Sequence, residues 1–198
     1  MCMVDNKQQS GFALLISLIV VGAVLSIGLV ILDLSIKQVR LATTTKDSEI
    51  AFHAANAGME CARFWRREMN TNMITGADMV GVNCFGTSIG TVESGTGAQQ
   101  PNLDSAVDGS AYRYNYELTW ASGQRCTAIT TVVAVADLTG NGVEITNMQS
   151  MIPGYPGGNT LNCDASSQCT AISVQGYNRG CSEKNNFGTI QREVLLEF

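Results

Sequence analysis

Apolar positions are distributed along this chain in two different ways. From 12 to 32 they run almost without interruption, as FALLISLIVVGAVLSIGLVIL, 21 positions with neither a charge nor a proline. Built as a helix at 1.5 Å per residue, the run spans about 30 Å, the thickness of a hydrocarbon core. Its two polar residues, Ser17 and Ser26, can return their hydroxyls to the helix that carries them. A core helix in so small a domain is rarely this long. A secretory signal has a shorter apolar region followed by a small-residue cleavage site, whereas here Asp33 follows and helical sequence continues.

Beyond Asp33 the pattern becomes periodic. Ile36, Val39 and Leu41 begin an amphipathic stripe, and Ile50, Ala54, Ala57 and Cys61 recur at spacings of four and three before Phe64 and Trp65. Asp47, Ser48 and Glu49 are placed to cap a break after 43–45. Unbroken, a helix over 12–68 runs about 85 Å, more than residues 70–198 could bury, so part of it needs lipid or other subunits as neighbours. Ala51, Ala54, Ala55, Ala57 and Gly58 leave a narrow helix face, which predicts close packing on the chain's own sheet. Subunit contact is assigned to the apolar stretch before it.

From 70 onward the pattern changes again. Residues 70–110 hold many Gly, Thr, Ser and Asn residues, with Pro101 and little periodicity, and predict a long connection pinned by Cys84. Residues 112–120, YRYNYELTW, alternate strictly and predict a half-buried strand; 128–136, AITTVVAVA, is β-branched. Further strands are predicted at 143–148, 170–177 and 189–198. The expected fold class is α+β: a long hydrophobic N-terminal helix packed, at 50–65, on one apolar face of a small disulfide-stabilised antiparallel β-sheet domain. The expected divisions are a leader at 1–11, a transmembrane or filament-core helix at 12–36, its amphipathic continuation at 37–69, and an extracytoplasmic β-rich domain at 70–198.

Charge and cysteines refine this picture. Only 15% of residues are charged, against a usual share of about 25%. Residues 1–69 carry 7 basic and 6 acidic residues, and 70–198 carry 5 and 11. An acidic domain without a basic stripe is not a general nucleic-acid binder. Of seven cysteines, Cys2 lies in the expected leader and six remain, an even number that fits an oxidising compartment. With no C-x-x-C pair and a single histidine, His53, on the helix, disulfides are favoured over zinc. Fifteen pairings are open; the preferred set is Cys163–Cys169, whose loop is short, then Cys126–Cys181 and Cys61–Cys84. Lys37, Arg40 and Lys46 follow the span, and by the positive-inside rule they favour a cytoplasmic C-terminal part. Cysteine usage favours the opposite side, and that orientation is adopted.

Chemistry of a catalytic kind has no foothold. His53 sits among alanines, and no nucleophile elbow, P-loop or metal-binding helix is present, so no catalytic residue, cofactor or metal is predicted and the chain is not expected to be an enzyme. Asp137, Thr139 and Asn141 before Gly142 mimic the start of a calcium loop, but the twelfth position is Met148 rather than the required Glu. Asn141-Gly142 is read instead as a hairpin turn. Arg63, Arg66, Arg67 and Glu68 are read as the solvated end of the helix.

Ser10-Gly11-Phe12, followed by the uncharged helix, resembles a prepilin leader junction. Ser48-Glu49-Ile50-Ala51-Phe52 and Ala54-Ala55-Asn56-Ala57-Gly58-Met59-Glu60 resemble the N-terminal region of PilX-like minor pilins, and Gly176-Tyr177-Asn178, Cys181 and Arg192-Glu193-Val194 are loosely similar. The resemblance implies cleavage by a prepilin peptidase after Gly11 and N-methylation of Phe12. It implies residence in the cytoplasmic membrane, then assembly with other pilin subunits into a type IV pilus or related filament at the cell surface. Major pilins carry Glu at the fifth mature position; here it is Ile16, which implies a minor subunit. The rival expectation is a single-pass, membrane-anchored extracellular binding or adhesion module that is neither processed nor polymerised.

Overall fold

The computed structural model describes residues 9–95, 101–103 and 108–198. Residues 1–8 of the expected leader, with Cys2 and Lys7, therefore lie outside the described residues. The chain divides into two compact units, Met1–Lys46 and Asp47–Phe198.

Helix α1 runs from Gln9 to Glu68. The predicted break at 43–45 does not occur. Thr43 and Thr44 donate their hydroxyls to Arg40 O, and Thr45 donates to Leu41 O, so these residues satisfy themselves within the helix. Helix α2 is a short turn, Asn70–Thr75, ended by Gly76 in the left-handed region.

The central element of the second unit is a four-stranded antiparallel sheet, ordered β3 (Gly109–Trp120), β4 (Arg125–Ala136), β7 (Gln168–Tyr177) and β8 (Gln191–Glu197). The register sets Tyr116 opposite Ile129, Ile129 opposite Val174, and Val174 opposite Val194. Alternation sends Tyr114, Tyr116, Leu118, Ile129, Val133, Ile172 and Val174 to one face, where they pack with Ala55, Met59, Ala62 and Trp65 of α1. The α+β class and the helix-on-sheet packing are those the pattern predicts.

The sheet has two covered faces rather than the single one expected. Ala111, Val132, Ala134, Ala136 and Ala171 face a second core. That core is closed by the ribbon of β5 (Val143–Ile145) and β6 (Leu161–Cys163) and by helix α3 (Met148–Met151). The predicted strand 143–148 is thus a three-residue strand followed by a helical turn. Because β5 pairs with β6, Asn141-Gly142 is not a hairpin turn between ladder partners. It bends the chain out of β4 toward a different sheet, with Gly140 and Gly142 at positive φ.

The predicted connection at 70–110 also holds more structure than its composition suggests. Met79–Cys84 (β1) and Thr87–Val92 (β2) form a hairpin. Its two-residue turn is Phe85-Gly86, both at positive φ, as a type I′ turn demands. Register shifts between Met79 and Val82 and between Val82 and Asn83 break the alternation that would have marked β1 as a strand.

The structure joins Cys61–Cys84, Cys126–Cys181 and Cys163–Cys169, with Cα separations of 6.0, 4.7 and 5.7 Å. These are the preferred pairs. The first ties α1 to β1, a link that Trp65 Nε1 reinforces by donating to Asn83 O at 2.9 Å. The second ties β4 to the 3-10 turn Cys181–Glu183, and the third closes the β6–β7 connection.

Candidate functional site

The first candidate is the apolar stretch of α1. Every residue from 11 to 41 is exposed, and Phe12 is 69% exposed. A run of this hydropathy is long and apolar enough to cross a membrane. Inside a bilayer each polar group must find a partner within the protein. The stretch meets that demand alone: Ser17 Oγ donates to Leu14 O and Ser26 Oγ to Ala23 O, both at 2.8 Å. Just past it, Ser35 Oγ donates to Ile31 O at 2.8 Å. At the edge, Lys37 pairs with Asp33 at 2.7 Å, so the first two charges after the apolar run neutralise each other. Gly11, Gly22 and Gly28 have open space where a Cβ would stand, leaving room for close approach by another helix.

Gly11 and Phe12 lie in the first turns of α1, and Ile16 follows one turn later, exposed like its neighbours. No carboxylate stands within the apolar run from 12 to 32. The helix therefore offers a continuous apolar surface without a buried charge to pair.

Helix α1 changes character beyond Lys46. Ala51, Ala54, Ala55, Met59 and Ala62 are buried against the sheet. A Cβ on Gly58 would strike the side chains of Thr127 and Val174, and one on Gly176 would strike the backbone of Ala51 and Ala55. Thr127 Oγ1 donates to Ala54 O at 3.1 Å in this contact. The narrow alanine–glycine face is therefore used by the chain's own sheet. His53 is exposed and lies 3.6 Å from Glu49, one turn earlier on the same helix.

One of the residues assigned to a solvated helix end sits elsewhere. Arg66 is buried; its Nε donates to Thr170 Oγ1 at 2.9 Å and its Nη1 to Asn70 Oδ1. Periodicity carried the signal, because Ala55, Met59, Ala62 and Arg66 follow at spacings of four, three and four. The run of charges concealed it. Glu117, Cys126 and Cys181 approach one another as a metal site would require. The two sulfurs are joined in a disulfide, however, so neither offers a thiolate.

Comparison with protein-family models, with characterised proteins and with solved structures yields no match.

Proposed function

We propose that this protein is a membrane-inserted subunit, of minor type, of a type IV pilus or related filament. In this reading its leader is cut after Gly11 and Phe12 becomes the methylated terminus. The supporting observation is the apolar stretch of α1, exposed and internally satisfied, lying directly after the Ser10-Gly11-Phe12 junction. In the membrane, lipid covers that surface. In the filament, equivalent helices cover it and keep its apolar area out of water once it has left the lipid. The three disulfides of the second unit support an extracytoplasmic position for it. Bond-making chemistry is not required of such a subunit.

The test is cross-linking between helices. Leu18→Cys and Leu25→Cys, made singly in the full chain, place a thiol on the exposed surface of the stretch. In sheared surface fractions each variant should form a covalent adduct with a neighbouring subunit through that thiol. Adducts absent from the surface fraction, with all chains retained in the membrane, would count against assembly and favour a permanently anchored module.

A further inference from the structure

Two phenylalanines stand in the open where α1 meets the β1–β2 hairpin. Phe64 is 54% exposed and Phe85 is 60% exposed, yet each ring is backed by a tryptophan. Phe64 lies edge-on to the buried Trp65 with ring centres 5.3 Å apart, and Phe85 stacks on Trp120 at 6.0 Å. Trp65 is itself tied to the hairpin through Asn83 O, and the Cys61–Cys84 disulfide joins the two elements. Phe85 holds its position at a cost. It is the first residue of the type I′ turn, at φ 52°, where a bulky side chain is disfavoured and asparagine or glycine is at ease. Its ring is mostly in solvent, so burial offsets little of that strain, and strain kept at such a place is a mark of function.

Glu60, Cys61, Phe64, Asn83, Cys84 and Phe85 line a cleft of about 250 Å³. Sites for drug-sized ligands run from roughly 300 to 1,000 Å³, so this one suits a single ring rather than a length of chain. The two phenyl rings and the buried disulfide supply its apolar surface, and the exposed Glu60 and Asn83 supply a carboxylate and an amide. An adjoining depression shares Glu60 and Phe64 and adds Arg63, Arg67 and Glu68. Arg63 Nη1 donates to Glu60 Oε1 at 3.3 Å. Two carboxylates and two guanidiniums thus surround Phe64, and they favour neither sign of charge. They offer donors and acceptors side by side, next to aromatic faces.

A neutral sugar ring needs that combination. Its axial C–H groups form an apolar, slightly positive face that stacks on the negative face of an aromatic ring, and each of its hydroxyls both donates and accepts. We propose that the cleft between Phe64 and Phe85 is a carbohydrate site that takes one neutral pyranose ring. Phe64 and Phe85 are the stacking surfaces, and Glu60, Arg63 and Asn83 bond the hydroxyls. The site lies wholly in the second unit and uses no residue of the apolar stretch, so it stands or falls independently of filament assembly.

The experiment is titration of the full chain, in a polyoxyethylene detergent that carries no sugar, with the methyl pyranosides of glucose, galactose, mannose and N-acetylglucosamine. Tryptophan fluorescence is the readout, because both tryptophans of the chain back the cleft. Tetramethylammonium chloride is the rival probe, since aromatic rings beside a carboxylate also suit a cation. Saturable binding of at least one pyranoside is expected. Phe64→Ala should weaken it about tenfold. Phe85→Asn should weaken it as much without lowering the thermal midpoint, because asparagine suits the turn better. Phe187→Ala, at a fully exposed ring outside the cleft, should leave binding unchanged. The proposal is overturned if no pyranoside binds saturably, if tetramethylammonium binds in place of the sugars, or if Phe64→Ala and Phe85→Asn both bind as tightly as the native protein.

Discussion

Gly176 and Gly58 set how closely the helix can lie on the sheet. The obstacle at Gly176 is helix backbone, which cannot swing aside, whereas at Gly58 it is two side chains. Gly176→Ala should therefore lower the thermal midpoint of the full chain more than Gly58→Ala; overpacking of this kind costs about 1–3 kcal/mol. Equal losses would show that the helix shifts bodily to accommodate either one. Tyr114 makes a second residue-scale prediction. Its ring is fully buried, its hydroxyl lies 3.0 Å from Ala77 O, and burial pushes its pKa up to about 12. The folded state thus prefers the protonated phenol. That preference stabilises fully below the ordinary tyrosine value near 10 and is lost as pH rises toward about 12. Tyr114→Phe should cost about 1 kcal/mol at neutral pH. It should also flatten the alkaline decline in unfolding free energy, and a decline as steep as the native one would assign the slope to other groups. The alanine face of α1 was legible because small residues at helical spacing mark a close approach. Gly176 was not, since a lone glycine in a strand does not reveal what lies over it. Arg66 was hidden because its neighbours Arg63, Arg67 and Glu68 give the segment the look of a solvated terminus.

At the scale of elements, the three disulfides close loops of very different length. Cys126 and Cys181 are 55 residues apart, and Cys163 and Cys169 are 6 apart. If the bonds act by restricting the unfolded chain, the longer loop yields the greater stabilisation, and loss of a native disulfide typically costs about 2–5 kcal/mol. The double variant Cys126→Ala with Cys181→Ala should unfold at lower denaturant concentration than Cys163→Ala with Cys169→Ala. The reverse order would show that the short bridge holds β6 against β7 by local packing instead. Strands β3 and β4 were readable because their alternation is long and regular, and β7 and β8 followed with end shifts of a few residues. The β1–β2 hairpin was not readable. Its alternation is broken by a bulge, and its turn is Phe85-Gly86, which places a phenylalanine at positive φ where asparagine or aspartate is the recognisable signal. The small β5–β6 ribbon escaped for another reason. Short strands carry little pattern, and Asn141-Gly142 gives no sign of whether the next strand joins the same sheet or leaves it.

Over the whole molecule, two kinds of surface have to be reconciled. The second unit closes two hydrophobic cores and three disulfides, whereas residues 12–32 leave every apolar side chain exposed. A run of that length cannot remain in water, so it must have lipid or protein around it. The sequence made this requirement plain through the absence of charge over 21 positions. The proposed answer is both in turn, lipid before assembly and neighbouring helices after it, with removal of residues 1–11 as the step between. Mass spectrometry of the native protein's N-terminus, in membrane fractions and in sheared surface fractions, tests this most directly. The account predicts a chain that begins at a methylated Phe12 in the surface fraction. A chain that still begins at Met1, found in membranes alone, would contradict it.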